Sequence, residues 1–387
     1  MSSMGASRAD SGVEADSGFD RELIAGLLLS THGFQPHNVD RWRYPAGGLR
    51  RVRRWARDTA LAMARRWGFV RARAAGPAST ARLAFVLDHL ESLSRFHARL
   101  ADARSRQLLI ELLKFRILGG DHVRLPTSDA RYWDLRASID RRFLHRRAAS
   151  RSPRGEVLDE YALPGARGPI SVQAHKLDIL NVFLLQQYAY REAGQDIAVR
   201  DGDVVLDGGG CWGDSALYFA DRAGATGQVH SFEFEADNLE VMRRNLGLNP
   251  ELASRVSIVP SALWDRADER LHYAPAGAAT AVTAESATGP AVRTVTIDAY
   301  VAQAALPRVD YIKLDIEGAE LKALRGAEQT LRRWRPTLAI ALYHRLGDFV
   351  EIPEYLADLQ LHYRLYLGHF TIHAEETILF ATAADRP

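Results

Sequence analysis

A glycine-rich turn directly after an apolar run is the feature that most constrains the fold of this chain. Residues 204–215 read VVLDGGGCWGDS, so an apolar run ends at Asp207 and three glycines follow it. Glycine permits a sharp backbone turn and a close approach to a ligand, which is why such turns join strand to helix in open α/β sheets. The stretch therefore predicts a strand, a turn and a helix, with a ligand site at the end of the strand.

The sequence around this turn alternates between strand-like and helical segments. Apolar runs at 203–207, 228–234, 256–264, 310–316 and 337–344 are strand candidates, and two more at 363–370 and 377–382 follow them. Such alternation is typical of a parallel sheet with helices on both faces. We expect five parallel strands and a closing hairpin-like pair. We also expect a helix over 174–193 and a loop over 265–291.

The first part of the chain has a different pattern. Helices are predicted at 19–33, between Thr80 and about Leu118, and over 127–147, with Gly119 ending the second of them. A stretch rich in Pro, Gly and Arg at 151–169 marks a boundary. We therefore predict a disordered lead over 1–18, a helical and basic domain over 19–165, and an α/β domain over 166–387.

Charge and cysteine content narrow the class of protein. Residues 1–170 carry 30 basic and 18 acidic side chains, and the remaining residues carry 20 and 30. Arginine-faced helices explain this asymmetry, and an anionic partner is the alternative. No base-reading motif accompanies the arginines, so nucleic acid is not expected as a partner.

The single cysteine, Cys211, excludes an internal disulfide and suits the cytoplasm. No segment is apolar enough to span a membrane.

The glycines alone leave two cofactors open. Gly208, Gly210 and Gly213 match the G-x-G-x-x-G pattern that binds NAD, and Asp207 with the glycines also matches the D-x-G-x-G loop that binds S-adenosylmethionine. Glu233 follows at the distance of an acid that hydrogen-bonds a ribose in either case. Asp207 favours the second ligand, because a carboxylate there would repel a pyrophosphate and attract a sulfonium.

Trp212 and Asp214 also favour S-adenosylmethionine, because a bulky side chain and an acidic one both hinder the binding of a phosphate in this turn. The competing hypotheses are an NAD(P)-dependent oxidoreductase and a non-catalytic binding module that docks through its basic half.

Six motifs in order carry a family resemblance. They are DGGGCWGDSALYFA, HSFEFEADNLEVMRRNLGLNP, SALW, TVTIDAYV, YIKLDIEGAELKALRGAE and LAIALYHRLGDF. Over residues 170–382 the chain resembles the FkbM family of S-adenosylmethionine-dependent methyltransferases. The resemblance implies a class I methyltransferase fold, which is a Rossmann-like seven-stranded sheet with an antiparallel last strand. It also implies O-methylation of a sugar, a glycan or a polyketide-like hydroxyl.

The resemblance also implies roles for residues. The glycine turn would hold the methionine part of the cofactor, the acid at 233 its ribose, and the segment from Ser261 its adenine. The predicted cofactor-binding residues are Asp207, Gly208, Gly209, Gly210, Trp212, Asp214, Ser215, Glu233, Asn238, Ala262 and Leu263.

Two polar residues at strand ends are the predicted catalytic groups. Asp315 ends the run DYIKLDI, and His344 ends TLAIALYH, so both belong at the ligand-binding edge of the sheet. A hydroxyl acceptor needs a group that takes its proton, and either side chain has that capacity. Glu317 fits a helix start better, and no metal-ligand spacing accompanies these residues, so no metal is predicted. His175, Gln187 and Tyr188 are weaker candidates for the pocket.

Overall fold

The computed structural model describes residues 17–31, 77–277, 280, 282–283 and 289–383. Most of the predicted disordered lead lies outside these residues. Within them, no helix is long and apolar enough to cross a membrane.

A seven-stranded sheet forms the centre of the molecule. Its strands are Val204–Gly208 (β4), Gln228–Phe232 (β5), Val256–Val259 (β6), Tyr311–Leu314 (β11), Thr337–Ala341 (β12), Tyr363–His369 (β13) and Thr377–Ala383 (β14). Their order in the sheet is β13-β14-β12-β11-β4-β5-β6, and β14 runs antiparallel to both of its neighbours while the others are parallel. This confirms the predicted fold, including the antiparallel last strand.

The central strands are buried on both faces, which explains why their sequences are mostly apolar. In β4, Val204 and Leu206 pack into one hydrophobic cluster and Val205 packs into a second cluster on the opposite face. Successive side chains of a strand point to opposite sides, so both faces must be covered. The helices of the α/β part are Asp214–Ala223, Ala236–Gly247, Pro250–Ala253, Ile297–Gln303, Glu320–Arg325, Glu328–Trp334 and Asp348–Asp358.

The helical N-terminal region packs against the β13 edge of this sheet. Its helices are Ser17–Thr31, Pro77–Asp88, Leu90–Arg99, Ala103–Leu118 and Ala130–Phe143. The amide of Ala101 donates to the carbonyl of Leu365 at 2.8 Å, and the amide of Leu367 donates to Ser105 Oγ at 2.9 Å. Leu109 and Leu113 belong to the same hydrophobic cluster as the sheet. The helices therefore share a core with the α/β part.

A three-stranded antiparallel sheet follows these helices in the sequence and precedes the α/β part. Leu144–Arg151 (β1), Val157–Pro164 (β2) and Pro169–Ala174 (β3) pair in the order β1-β2-β3. The helix predicted over 127–147 is thus shorter than expected, because β2 offers a partner to its last residues. The predicted domain boundary at 165 falls in the turn between β2 and β3, and the division into domains stays a prediction.

Two further predictions need correction. The segment 174–193 forms only a short helix, Lys176–Asp178, and a π-helix, Ile179–Leu184, because the chain then turns through Gln186 at a φ of 52°. An apolar run does not by itself distinguish these outcomes. The segment 265–291 was predicted as a loop but contains Arg270–Tyr273 (β8) and Val282–Thr283 (β9). They join Ala262–Leu263 (β7) and Ala291–Val295 (β10) in a small sheet, held by backbone pairing that polar residues also make.

Candidate active site

A cavity of about 600 Å³ opens at the carboxyl edge of β4, β5, β11 and β12. This is the edge at which open α/β sheets bind ligands. Most predicted site residues lie on its wall: Gly209, Trp212, Asp214, Ser215, Glu233, Asn238, Ala262, Leu263, Asp315 and His344. The weaker candidates His175, Gln187 and Tyr188 line it too. Three predicted residues, Asp207, Gly208 and Gly210, lie behind this wall.

The glycine turn brings three strands close together. The amides of Gly209 and Gly210 donate to the carbonyl of Phe232 at 3.0 and 2.9 Å. A Cβ on Gly209 would lie 2.0 Å from the carbonyl oxygen of Asp315, and one on Gly210 would lie 2.0 Å from Ser231 Oγ. Gly209 also has a φ of 81°, which side chains other than glycine rarely adopt. The turn therefore needs glycine for its own packing as well as for the cavity.

Asp207 faces the protein interior and not the cavity. Its carboxylate accepts hydrogen bonds from Ser215 Oγ at 2.9 Å and from Ser231 Oγ at 2.7 Å. It also pairs with Lys313 Nζ at 3.2 Å, and both charged side chains are almost fully buried. The charge of Asp207 is therefore balanced within the protein, and its position supports the turn from behind.

Lys313 is the residue of this region that sequence reasoning missed. Its ammonium donates to the carbonyls of Gly208 and Gly209 at 3.0 and 2.6 Å, besides its pairing with Asp207. Burial opposes the charge, but Asp207 and Asp315 outweigh burial and raise the pKa of Lys313. The signal was present, because a lysine interrupts the otherwise apolar run YIKL of β11. The register that places it opposite Asp207 was not readable from the sequence.

Glu233 and its neighbours form a connected polar group after β5. Glu233 Oε1 accepts from the amides of Phe234 and Glu235, each at 2.7 Å. Asn238 Nδ2 donates to Glu233 Oε2 at 3.3 Å, and Asn238 Oδ1 accepts from the indole of Trp212 at 3.2 Å. Burial raises the pKa of Glu233 to about 7 despite these bonds. The network holds the carboxylate of Glu233 at the cavity wall, where its Oε2 accepts a long hydrogen bond of 3.3 Å from Asn238.

Asp315 is held by two tyrosines at the end of β11. The hydroxyl of Tyr188 donates to Asp315 Oδ2 at 3.0 Å, and that of Tyr343 donates to Asp315 Oδ1 at 2.8 Å. All three side chains line the cavity. Burial, with the charge of Asp315, holds the pKa of both tyrosines well above the usual range, so both stay protonated donors. Tyr343 was missed because the sequence offered no reason to prefer it to other tyrosines.

His344 lies among three carboxylates after β12. Its Nδ1 is 2.9 Å from Glu320 Oε1, and its Nε2 is 3.4 Å from Glu317 Oε2 and 3.5 Å from Asp315 Oδ1. Burial opposes the charged imidazole, but these carboxylates outweigh it and raise the pKa of His344 to about 11. Without a bound cation these carboxylates favour the protonated imidazole, which does not take a proton, and the role of His344 as the base stays a prediction.

The wall of the cavity is strongly acidic. Eight carboxylate residues line it among the described residues: Glu156, Asp178, Asp214, Glu233, Asp315, Glu317, Glu375 and Glu376. The basic residues on the same wall are one lysine and two histidines, Lys313, His175 and His344. Burial and the neighbouring Asp178 raise the pKa of Asp214 to about 7. The acids at 156, 178, 375 and 376 come from distant segments, so their convergence was not predictable from spacing.

Two histidines near the end of the chain, His369 and His373, lie away from this cavity. His369 is buried in β13, where its Nδ1 is 2.9 Å from the hydroxyl of Thr377. Burial and the nearby Arg116 lower its pKa to about 3, so it stays neutral. Neither His369 nor His373 is on the wall of this cavity.

Comparisons with known proteins agree with this geometry. Residues 196–365 match the model of the methyltransferase FkbM domain. The structure of methyltransferase FkbM from Methylobacillus flagellatus KT is similar, with a TM-score of 0.51 and 19% identity over 87% of this chain and 71% of that one. At this identity the similarity concerns the fold. No curated protein matches the sequence.

Two other solved structures match more weakly. A precorrin-6y C5,15-methyltransferase from Geobacter metallireducens GS-15 has a TM-score of 0.33 and 14% identity, over 48% of this chain and 82% of that one. A SAM-dependent O-methyltransferase from Thermotoga maritima has a TM-score of 0.31 and 15% identity, over 49% of this chain and 62% of that one. The match to the methyltransferase FkbM domain thus covers residues 196–365, and the fold agrees with it.

Proposed function

We propose that this cavity binds S-adenosylmethionine and that the protein transfers a methyl group to a hydroxyl of a small-molecule or glycan acceptor. The observation that carries the proposal is the charge of the cavity wall, where eight carboxylate residues outnumber two cationic ones, Lys313 and His344. The ammonium of Lys313 already donates hydrogen bonds to two carbonyls and pairs with Asp207. A cationic ligand is therefore favoured, and a pyrophosphate is opposed. NAD is therefore disfavoured by the acidic wall of the cavity and not by Asp207, whose charge is balanced within the protein.

Residues suited to such a cofactor are present on the wall. Glu233 offers a fixed carboxylate to the hydroxyls of a ribose. Asn181 Oδ1 and Gln187 Oε1 are buried and have no hydrogen-bond partner among the described residues. Buried acceptors of this kind are costly unless a ligand satisfies them, and an ammonium group would do so. Ala262 and Leu263 offer an apolar surface to a base.

The acceptor side of the cavity is built around Asp315. S-adenosylmethionine, when bound, supplies an electrophilic methyl group on a sulfonium. The chain must hold an acceptor oxygen in line with that group and assist loss of its proton. Asp315 is a carboxylate oriented by Tyr188 and Tyr343, so it suits a hydroxyl that donates to it. We assign the binding of the acceptor hydroxyl to Asp315.

Calorimetry with S-adenosylhomocysteine and with NADH tests the cofactor assignment. We expect the first ligand to bind and the second to show no binding. Glu233→Gln should weaken the binding of S-adenosylhomocysteine by about tenfold to a hundredfold, since one charged hydrogen bond contributes roughly 1.5–3 kcal/mol. Glu240→Gln, an exposed acid of the helix Ala236–Gly247, is the matched control. Tighter binding of NADH would refute the proposal.

The pH dependence of S-adenosylmethionine binding gives a second readout of the same experiment. Asp214 and Glu233 both have a pKa of about 7 without a ligand. A cation binds the deprotonated carboxylates, so the protons that Asp214 and Glu233 still carry at pH 6 must be released on binding. At pH 8 most of these protons have already dissociated. We therefore expect the affinity to rise from pH 6 to pH 8. An affinity that falls over this range would contradict the assignment.

A further inference from the structure

Three side chains from separate elements converge at one point of the cavity wall. Asp315 follows β11, Glu320 begins the helix Glu320–Arg325, and His344 follows β12. Each offers one ligand atom, and the three atoms all lie within 4.8 Å of one another. Ligand atoms that share a metal ion at bond lengths of about 2.0–2.2 Å are separated by up to about 4.4 Å, so a small movement of the side chains brings all three into reach of one ion.

The hydrogen bonding of this group is incomplete. The side chain of Glu320 is fully buried, and its Oε2 has no hydrogen-bond partner among the described residues. His344 is 8% exposed, and neither of its ring nitrogens makes a hydrogen bond of acceptable geometry there, although carboxylate oxygens approach both. Buried polar atoms in native proteins are nearly always satisfied, so exceptions require an explanation. A bound cation supplies one, because it satisfies nitrogen and oxygen lone pairs together.

We propose that Asp315, Glu320 and His344 bind a divalent transition-metal ion. One imidazole and two carboxylates are ligands that Mn²⁺, Fe²⁺ and Zn²⁺ accept, whereas Mg²⁺ and Ca²⁺ prefer oxygen ligands only. The set leaves other positions around the ion free, and Asp315 and His344 are on the cavity wall. Such a site has the open coordination that is typical of catalytic metals and not of structural ones.

The role of the ion in the reaction rests on the proposed function. A cation bound to the acceptor oxygen lowers the pKa of the hydroxyl. With Asp315 engaged as a ligand, the ion would hold the acceptor hydroxyl beside it, and the proton would pass to Glu317, which lies on the cavity wall beside His344 and outside the ligand set. A lone pair of the oxygen then forms the bond to the methyl carbon, and the electrons of the broken carbon–sulfur bond remain on the sulfur.

Titration of the metal-stripped full chain with Mn²⁺, in the absence of cofactor, tests the site. Electron paramagnetic resonance of free Mn²⁺ should show one ion bound per chain, with Mg²⁺ at equal concentration unable to displace it. His344→Gln and Glu320→Gln should each weaken binding by more than about tenfold, the lower range for losses around a metal site. The control is His230→Gln, a buried histidine that is outside this cavity and pairs with the Tyr300 hydroxyl.

A second measurement keeps the test decisive where a variant does not fold. Pulsed resonance on the wild-type chain with Mn²⁺ should show coupling to a nitrogen of an imidazole. Absence of Mn²⁺ binding to the folded wild type, or binding without nitrogen coupling, would overturn the proposal. S-adenosylhomocysteine calorimetry on the same metal-free sample separates the two proposals, because cofactor binding without Mn²⁺ binding refutes only the metal site.

Discussion

At the scale of single residues, the buried pair of Asp207 and Lys313 organises the centre of the site. The sequence singled out Asp207 for its position before the glycines, and the structure adds that its charge is used inside the protein. Removing one member of a buried pair leaves the other charge uncompensated, which is more costly than losing an exposed pair. The stability of the turn therefore depends on both members.

Asp207→Asn tests this role. The substitution keeps the size of the side chain but leaves the ammonium of Lys313 without its counter-charge, so the free energy of unfolding should fall by about 3–5 kcal/mol. Chemical denaturation measures it. The matched control is Asp196→Asn, whose partner Arg191 is exposed, and there the loss should stay below about 1 kcal/mol. Equal losses in the two variants would show that the buried pair is unimportant.

At the scale of elements, the strands were predictable and two connections were not. The seven strands of the sheet follow from apolar runs bounded by turns, since burial on both faces leaves a strong pattern. The segment 174–193 lacks such a clear signal, because its apolar run suits a helix, a π-helix or packed turns. β8 and β9 are short, and they are strands because β8 pairs with β10 and β9 pairs with β8. Their formation depends on tertiary pairing.

The glycine turn makes the sharpest prediction at this scale. In Gly209→Ala, the new Cβ would meet the backbone carbonyl of Asp315 at 2.0 Å, and the φ of 81° adds about 1–2 kcal/mol of strain. The turn must move, so S-adenosylhomocysteine should bind at least about tenfold more weakly, a loss of about 1.4 kcal/mol. Calorimetry measures it.

Gly247→Ala is the control for that substitution. Gly247 ends the helix Ala236–Gly247 and has no atom within 4 Å of an added Cβ. Alanine should be neutral there or stabilising by up to about 1 kcal/mol, with cofactor binding unchanged. Wild-type binding by Gly209→Ala would mean that the turn tolerates a side chain.

At the scale of the whole molecule, the N-terminal helices contribute to the site as well as to the core. Arg116, from the helix Ala103–Leu118, donates to the carbonyls of Tyr343 and Ala374 at 2.6 and 3.1 Å. Tyr343 in turn holds Asp315. Some of the basic charge of this region is thus used within the protein, as in the pair of Arg95 with Glu354 at 2.8 Å. The charge asymmetry is visible in the sequence, but these pairings are not, because they join residues that are far apart along the chain.

Deletion of residues 1–125 tests this arrangement. It would uncover the face of the sheet against which Leu109 and Leu113 pack, and it would remove Arg116 from the site. Exposed apolar faces of this kind promote association. Size-exclusion chromatography should therefore show aggregated or insoluble protein, whereas deletion of residues 1–16, which removes none of the described contacts, should leave a stable chain. A soluble, monodisperse truncation that binds S-adenosylhomocysteine would show that the helices are accessory.

Cys211 lies within the glycine turn, directly after Gly210. This residue is the single cysteine of the chain, and it lies on the cavity wall next to Trp212. Burial and the charge of Glu233 hold the pKa of its thiol well above the usual range, so it reacts slowly with thiol reagents at neutral pH. A ligand in the cavity would shield it further. The natural sequence thus carries its own chemical reporter of site occupancy, with no other thiol to confuse the signal.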